Sequence, residues 1–317
     1  MTRNHPRPSR RAALLGGAAL TALAVTAGTG TAHANSSTTA ASWPTEFPLP
    51  NGWLPEGIAI GSRPYAYLGS RADGAIYRTD LRTGEGKVLS EGATGLVSVG
   101  LKLDHDGLLY VAGGTGAARV VDSRTGEILT TYQLTAATGH FINDITLLGD
   151  RAWFTDSLDA VLYGVPRGGT GEVTALPLTG DWVQTPGVNN ANGIVGTPDG
   201  HGLVVVSSSP GKLYRVSLKA GYATEIALSG ATDVTNGDGL FRIGRTLYVV
   251  QNRLNRISVF DLDAEVTTAT LRTTITDPRF DVPTTAARFG NRLYLVNARF
   301  TTPQTSDTTF TAVAVSL

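Results

Sequence analysis

A unit of roughly 46 residues recurs along this chain, and it limits the possible folds more than any other feature. Each unit opens with a short apolar stretch, turns at glycine and continues as an apolar strand. A polar loop follows, then a third strand, then a fourth after a turn such as Thr83-Gly84, Thr125-Gly126 or Ala220-Gly221. The opening stretches are anchored at Ile58, Val99, Ile145, Ile194, Leu240 and Ala286, spaced by 41, 46, 49, 46 and 46 residues. Between them lie short β-type runs and Gly/Asp/Asn/Pro turns, with no sustained helical periodicity, so the chain is all-β. Six four-stranded units of this period predict a six-bladed β-propeller. The last unit has three strands, and Thr45-Glu46-Phe47-Pro48-Leu49 resembles the fourth strand Thr224-Glu225-Ile226-Ala227-Leu228. The N-terminal strand is therefore expected to pair with the C-terminal blade and close the ring, leaving no free sheet edge around it.

The propeller is expected over 43–317 as a single domain. Ahead of it, Arg3, Arg7, Arg10 and Arg11 precede an apolar Ala/Gly/Leu-rich run and the small-residue site Ala32-His33-Ala34. Residues 1–34 therefore read as a signal peptide. Arg10-Arg11 after Ser9 suggests the twin-arginine type, with an ordinary Sec signal as the alternative. Residues 35–42 read as a flexible segment. The protein is expected to be secreted, or periplasmic where the host has an outer membrane. Residues 35–317 hold 22 basic and 26 acidic side chains, a net charge near −4, so no basic face exists for nucleic acid. No later stretch is apolar enough to span a bilayer, so no membrane partner is expected once the signal is removed. Cys is absent, so packing holds the fold without disulfides and no thiol serves as ligand or nucleophile. A monomer is expected.

In a propeller the innermost strand of each blade lines the central channel, and equivalent positions face one another. Two residues before each anchor stand Glu56, Val97, Asn143, Asn192, Asp238 and Thr284. Residues two apart share a strand face, and this face is expected to point at the axis. A single Asn or Asp at a strand start is ordinary turn chemistry. Four carboxylate or amide side chains in register instead point to a ligand site, because converging buried charge needs compensation. Oxygen donors without His or Cys suit a hard divalent cation, Ca²⁺ first, with Mg²⁺ or another divalent ion as alternatives.

These phrases also carry a resemblance. Pro55-Glu56-Gly57, Asn192-Gly193-Ile194 running to Thr197-Pro198-Asp199-Gly200, Asp238-Gly239-Leu240, and Thr284-Thr285 followed by Phe289-Gly290 resemble the SMP-30/gluconolactonase family of calcium-dependent lactonases. The likeness extends over nearly all of the chain after the signal peptide. It implies that Glu56, Asn192 and Asp238 bind the metal and that Asn143 contacts substrate or metal. One position departs from the pattern. Where sugar-lactonase members resemble Arg-x-Asn-Asp, this chain has Phe141-Ile142-Asn143-Asp144. Phe141 in place of Arg argues against a gluconolactone-type substrate and leaves the metal set intact.

The expected chemistry is hydrolysis of a lactone or ester, with a metal-polarised carbonyl attacked by water. Asp238 is the first candidate base and Glu56 the second. Asn143 would position the substrate carbonyl. His140 is either a proton shuttle or a solvated loop residue, while His105 and His201 belong to turns on the opposite face. Trp53, His140, Phe141, Trp182, Phe280 and Phe300 fall on the loops at the metal end and are expected to wall the substrate. An aromatic mouth favours an apolar or aromatic ester or lactone, although aromatic residues also cap blades. No G-x-S-x-G, P-loop or H-E-x-x-H motif occurs. The alternative is a non-catalytic propeller that binds a ligand or protein and carries a structural calcium.

Overall fold

The computed structural model describes residues 42–317. The expected signal peptide at 1–34, and all of 35–42 except Ser42, lie outside the described residues. Six sheets follow in chain order as blades 1 to 6, each built on four strands, antiparallel to their neighbours. Their inner strands are Pro55–Ile60, Leu101–Leu103, Ile142–Leu148, Ala191–Gly196, Gly237–Ile243 and Pro283–Phe289. Among the described residues the only helix is the short 3-10 turn Asn252–Leu254.

Blade 6 takes its outer strand from the N-terminal side, as the repeat predicts. Glu46–Leu49 pairs antiparallel with Phe310–Ser316, placing Glu46 opposite Val313 and Leu49 opposite Phe310. Phe47 and Leu49 are buried, and the Phe47 ring lies 6.5 Å from that of Tyr294. Alternation along this strand thus sends the two apolar side chains inward and leaves Glu46 in solvent. Blades 4 and 5 differ from the four-strand expectation. Each gains a short parallel strand at its outer edge, Thr179–Gly180 beside Tyr222–Glu225 and Ala227–Ser229 beside Thr268–Ile275. In both cases the linker leaving one blade runs along the outer edge of the next and satisfies its backbone groups there.

The apolar core is divided among six seams between neighbouring blades. In the seam between blades 1 and 2, Ala59, Tyr67 and Ile76 meet Leu101, Leu109, Val111 and Val121. The seam between blades 6 and 1 contains Phe47, Ile58 and Leu68 against Tyr294, Val296 and Phe310. This arrangement corrects one step of the sequence reading. The anchors Ile58, Val99, Ile145, Ile194, Leu240 and Ala286 lie in seams and do not face the channel.

The cause is a bulge repeated in five inner strands. Pro55 pairs with Ser70, but Ile58 pairs with Leu68, so one extra residue is accommodated between them. The same irregularity falls at Ile142/Ile145, Ala191/Ile194, Gly237/Leu240 and Pro283/Ala286. A bulge breaks strict alternation and re-aims side chains. The residue two before an anchor is therefore freed from the anchor's face. Glycine after the bulged residue permits close approach of the inner strands. A Cβ on Gly193 would sit 2.2 Å from the Asp238 carbonyl oxygen, and one on Gly239 only 2.1 Å from Thr285 Oγ1.

Candidate functional site

The bulges deliver Glu56, Asn143, Asn192, Asp238 and Thr284 to the inner ends of blades 1, 3, 4, 5 and 6, all buried. The charges of Asp238 and Asp144 act on Glu56, and that of Asp144 acts on Asp238. Blades 1, 3 and 5 are not neighbours, so these groups meet across the ring axis. Blade 2 departs from the pattern. Its inner strand starts only at Leu101, and half-buried Val97 packs into the seam with blade 3. Blade 2 contributes Lys102 instead, whose Nζ lies 3.9 Å from Asp144 Oδ1.

A second ring of side chains holds the first. In each blade it is the residue just after the strand partner of the inner strand's first residue: Arg71, Ser157, Ser208 and Asn252 in blades 1, 3, 4 and 5. Asn143 Nδ2 donates to Ser157 Oγ at 2.9 Å, and Asn192 Nδ2 donates to Ser208 Oγ at 3.0 Å. Asn252 Nδ2 donates to Asp238 Oδ2 at 2.5 Å. The two serine hydroxyls in turn donate to the Ala191 and Gly237 carbonyls of the following blade. Both asparagine amide nitrogens are thereby occupied. Their Oδ1 atoms remain buried without a partner, and so does Asp144 Oδ2. A buried acceptor left unpaired costs about 1–3 kcal/mol.

Three carboxyls share this buried space, and each is shifted toward its neutral form. Burial first, then the charges of Asp238 and Asp144, hold Glu56 well above the usual carboxylate range. Burial also raises Asp144, against the opposing influence of Lys102. Asp238 is pushed up to about 7, again mainly by burial, with the Asn252 amide acting in the other direction. Arg71 is lowered by burial, while Glu56 and Asp238 favour its charged form. Among the described residues no three His, Asp or Glu side chains gather as a ligand cluster, so a cation here would depend on the amide oxygens as well as the acids. The donor chemistry fits a hard divalent ion: oxygen only, two amide acceptors already oriented and unpaired, and carboxyls that gain from a nearby positive charge.

The expected aromatic wall is largely absorbed by the seams. Trp53 is buried between blades 6 and 1 and meets Tyr77 edge-on at 5.6 Å. Phe280 is buried between blades 5 and 6. Neither is available to a substrate. Phe141 packs against the seam between blades 2 and 3, and Trp182 packs on Tyr214 at 4.8 Å in the seam between blades 3 and 4. Phe300 is different: the Arg71 guanidinium lies 4.8 Å from its ring centroid.

His140 is not a solvated loop residue. Its Nδ1 lies 2.6 Å from Oδ2 of Asp156 and its Nε2 lies 3.1 Å from Thr135 Oγ1. Asp156 is fully buried, and its Oδ1 accepts from the backbone N–H groups of Phe141, Leu158 and Asp159. The chain Thr135–His140–Asp156 ties the segment after blade 2's outer strand to blade 3. His105 and His201 stand exposed in first-to-second-strand turns on the opposite face.

Arg71, Lys102, Asp144, Ser157, Ser208, Asn252 and Asp156 were not singled out by the sequence reading. The repeat register, applied to the end of the second strand, finds Arg71, Ser157, Ser208 and Asn252. Asp144 is hidden by alternation, which turns it away from the channel until the bulge is known.

No protein-family profile and no curated protein matches this chain. Solved structures do. The Malassezia sympodialis allergen Mala s 1 superposes with a TM-score of 0.68 at 14% identity, covering 86% of this chain and 96% of the allergen. A calcium-binding protein, regucalcin, from Agrobacterium tumefaciens gives 0.59 at 18% identity over 86% and 95%. A gluconolactonase from Xanthomonas campestris gives 0.59 at 15% identity over 84% and 87%. The likeness is one of fold. It includes the architecture of the family the sequence resembles, at identities that leave the site chemistry to the residues themselves.

Proposed function

We propose that the channel binds a divalent cation, Ca²⁺ first, and hydrolyses a lactone or ester at the metal end of the propeller. The observation that carries this reading is the pair of buried, unpaired oxygens on Asn143 and Asn192 beside the raised carboxyls of Glu56 and Asp238. These four side chains would hold the ion. When bound, it would polarise the substrate carbonyl as a Lewis acid. The chain's own residues supply the rest. Ser157 and Ser208 keep the asparagine oxygens presented to the channel. Asn252 holds Asp238, whose acid form burial stabilises, so that the carboxyl can take up a proton from attacking water near neutral pH. The shared fold with a gluconolactonase and a regucalcin supports the reading at the level of architecture, which by itself hosts many functions.

The test uses aryl esters and lactones with the protein in EDTA, then with Ca²⁺ restored. Hydrolysis is expected to vanish on chelation, return with Ca²⁺, and fall at least about 100-fold in Glu56→Gln, which removes one charged ligand. Tight Ca²⁺ binding with no turnover across the panel would replace the hydrolase by a non-catalytic binding propeller.

A further inference from the structure

Arg71 breaks the pattern of the second ring. Ser157, Ser208 and Asn252 are small polar residues that hold a neighbour in the first ring. From the same register position, after Ser70 opposite Pro55, blade 1 presents a guanidinium. Its plane is backed by the Phe300 ring at 4.8 Å, and its Nε is buried with no hydrogen-bond partner. A guanidinium N–H held away from water with no acceptor is costly. The donors are arranged as a fork that matches a planar oxyanion, and an aromatic face behind the plane leaves the donor edges for such a partner.

The charge balance points the same way. Glu56, Asp144 and Asp238 against Arg71 and Lys102 leave the ring with one net negative formal charge. A divalent cation would turn this into one net positive charge. A ligand with a single negative charge would then restore neutrality, and the unpaired Arg71 donor stands beside the acids that hold the cation.

We propose that Arg71, seated on Phe300, is the specificity residue of the channel and reads a carboxylate on the substrate, which is an acidic lactone or a carboxylate-bearing ester. The catalytic half of this inference rests on the hydrolase reading above; the binding half does not. The test therefore has two readouts on the full chain after signal removal, in Ca²⁺. The first is calorimetric titration with benzoate. The second is kcat/KM for 4-carboxyphenyl acetate against phenyl acetate, in wild type, Arg71→Gln, Arg71→Lys and Phe300→Leu. Arg71→Gln is expected to weaken benzoate binding about 10- to 100-fold, the usual worth of a hydrogen bond to a charged group. It should lower the ratio of kcat/KM for the carboxylate ester to that for phenyl acetate by a similar factor, through KM for the carboxylate ester. Arg71→Lys should fall between, because it keeps the charge and loses the fork. Phe300→Leu tests the support of the guanidinium without touching the charge, and should lower the carboxylate ester's kcat/KM while Ca²⁺ affinity stays unchanged. Equal losses on both esters in Arg71→Gln, or benzoate binding indifferent to Arg71, would overturn the proposal. Benzoate binding that depends on Arg71 with no ester turned over would uphold the anion site and remove the hydrolase.

Discussion

Replacing Asp238 with Asn tests the charge balance of the channel. Burial lifts the Asp238 carboxyl from its ordinary 3.8 to about 7. The folded protein therefore keeps a proton there that the unfolded chain releases. Stability from this group is fully present below about pH 4 and is lost as the pH rises from about 4 through 7. That interval corresponds to roughly 4 kcal/mol at pH 8. Asn has nearly the same shape and no charge to bury at any pH. The opposing hydrogen bond from the Asn252 amide is already contained in that net shift. In EDTA at pH 8, Asp238→Asn should thus be more stable than wild type by about 4 kcal/mol, a Tm rise of roughly 8 °C for a domain of this size. The difference should shrink as the pH falls toward 4. Under the proposed function Ca²⁺ binds only the folded ring, so added Ca²⁺ should raise the wild-type Tm and should raise that of the variant much less. Scanning calorimetry from pH 5 to 8, with EDTA and then with Ca²⁺, measures both effects. Parallel pH slopes in the two proteins, or an undiminished Ca²⁺ response in the variant, would refute the reasoning.

Four further outcomes are expected. Phe47→Ala removes the largest buried group of the closing strand and should cost about 3–5 kcal/mol in denaturant unfolding; a loss below about 1 kcal/mol would mean that the ring does not depend on this strand. Gly239→Ala places a methyl 2.1 Å from Thr285 Oγ1; overpacking should cost about 1–3 kcal/mol and weaken Ca²⁺ binding by displacing its neighbour Asp238, whereas unchanged calorimetric affinity would show that the axial spacing tolerates a side chain. Asp156→Asn perturbs the hydrogen bond with His140 and the turn around Asp156 Oδ1 and should cost about 1–3 kcal/mol in denaturant unfolding. His140→Ala should leave turnover within about threefold, because both ring nitrogens are engaged by Thr135 and Asp156, and a large kcat loss with unchanged Tm would restore it as a proton shuttle.

Much of this molecule is legible in its sequence, and the physical reason is that strand pairing within a blade is local. Hydrophobic alternation and turn residues specify each hairpin from its own 40 or so residues, so the repeat predicted six blades. The same local pattern marked Thr45–Leu49 as a displaced fourth strand, and Glu46–Leu49 does complete blade 6. Glu56, Asn143, Asn192 and Asp238 were also found in register, although for an incomplete reason. Strict alternation would have carried the anchors to the axis with them. The bulges separate the two sets, and a bulge is a property of two strands in register that neither strand announces alone. The features hidden from the sequence lie where distant segments converge. Whether Trp53 and Phe280 meet substrate or fill a seam depends on the gap between blades. Whether His140 is free depends on a carboxylate 16 residues away. Arg71 reads in the sequence as an ordinary loop arginine, and its standing beside Glu56, Asp238 and Phe300 follows only from closing the ring, because electrostatic energy depends on distance in space and on burial, and neither is written in the order of the chain.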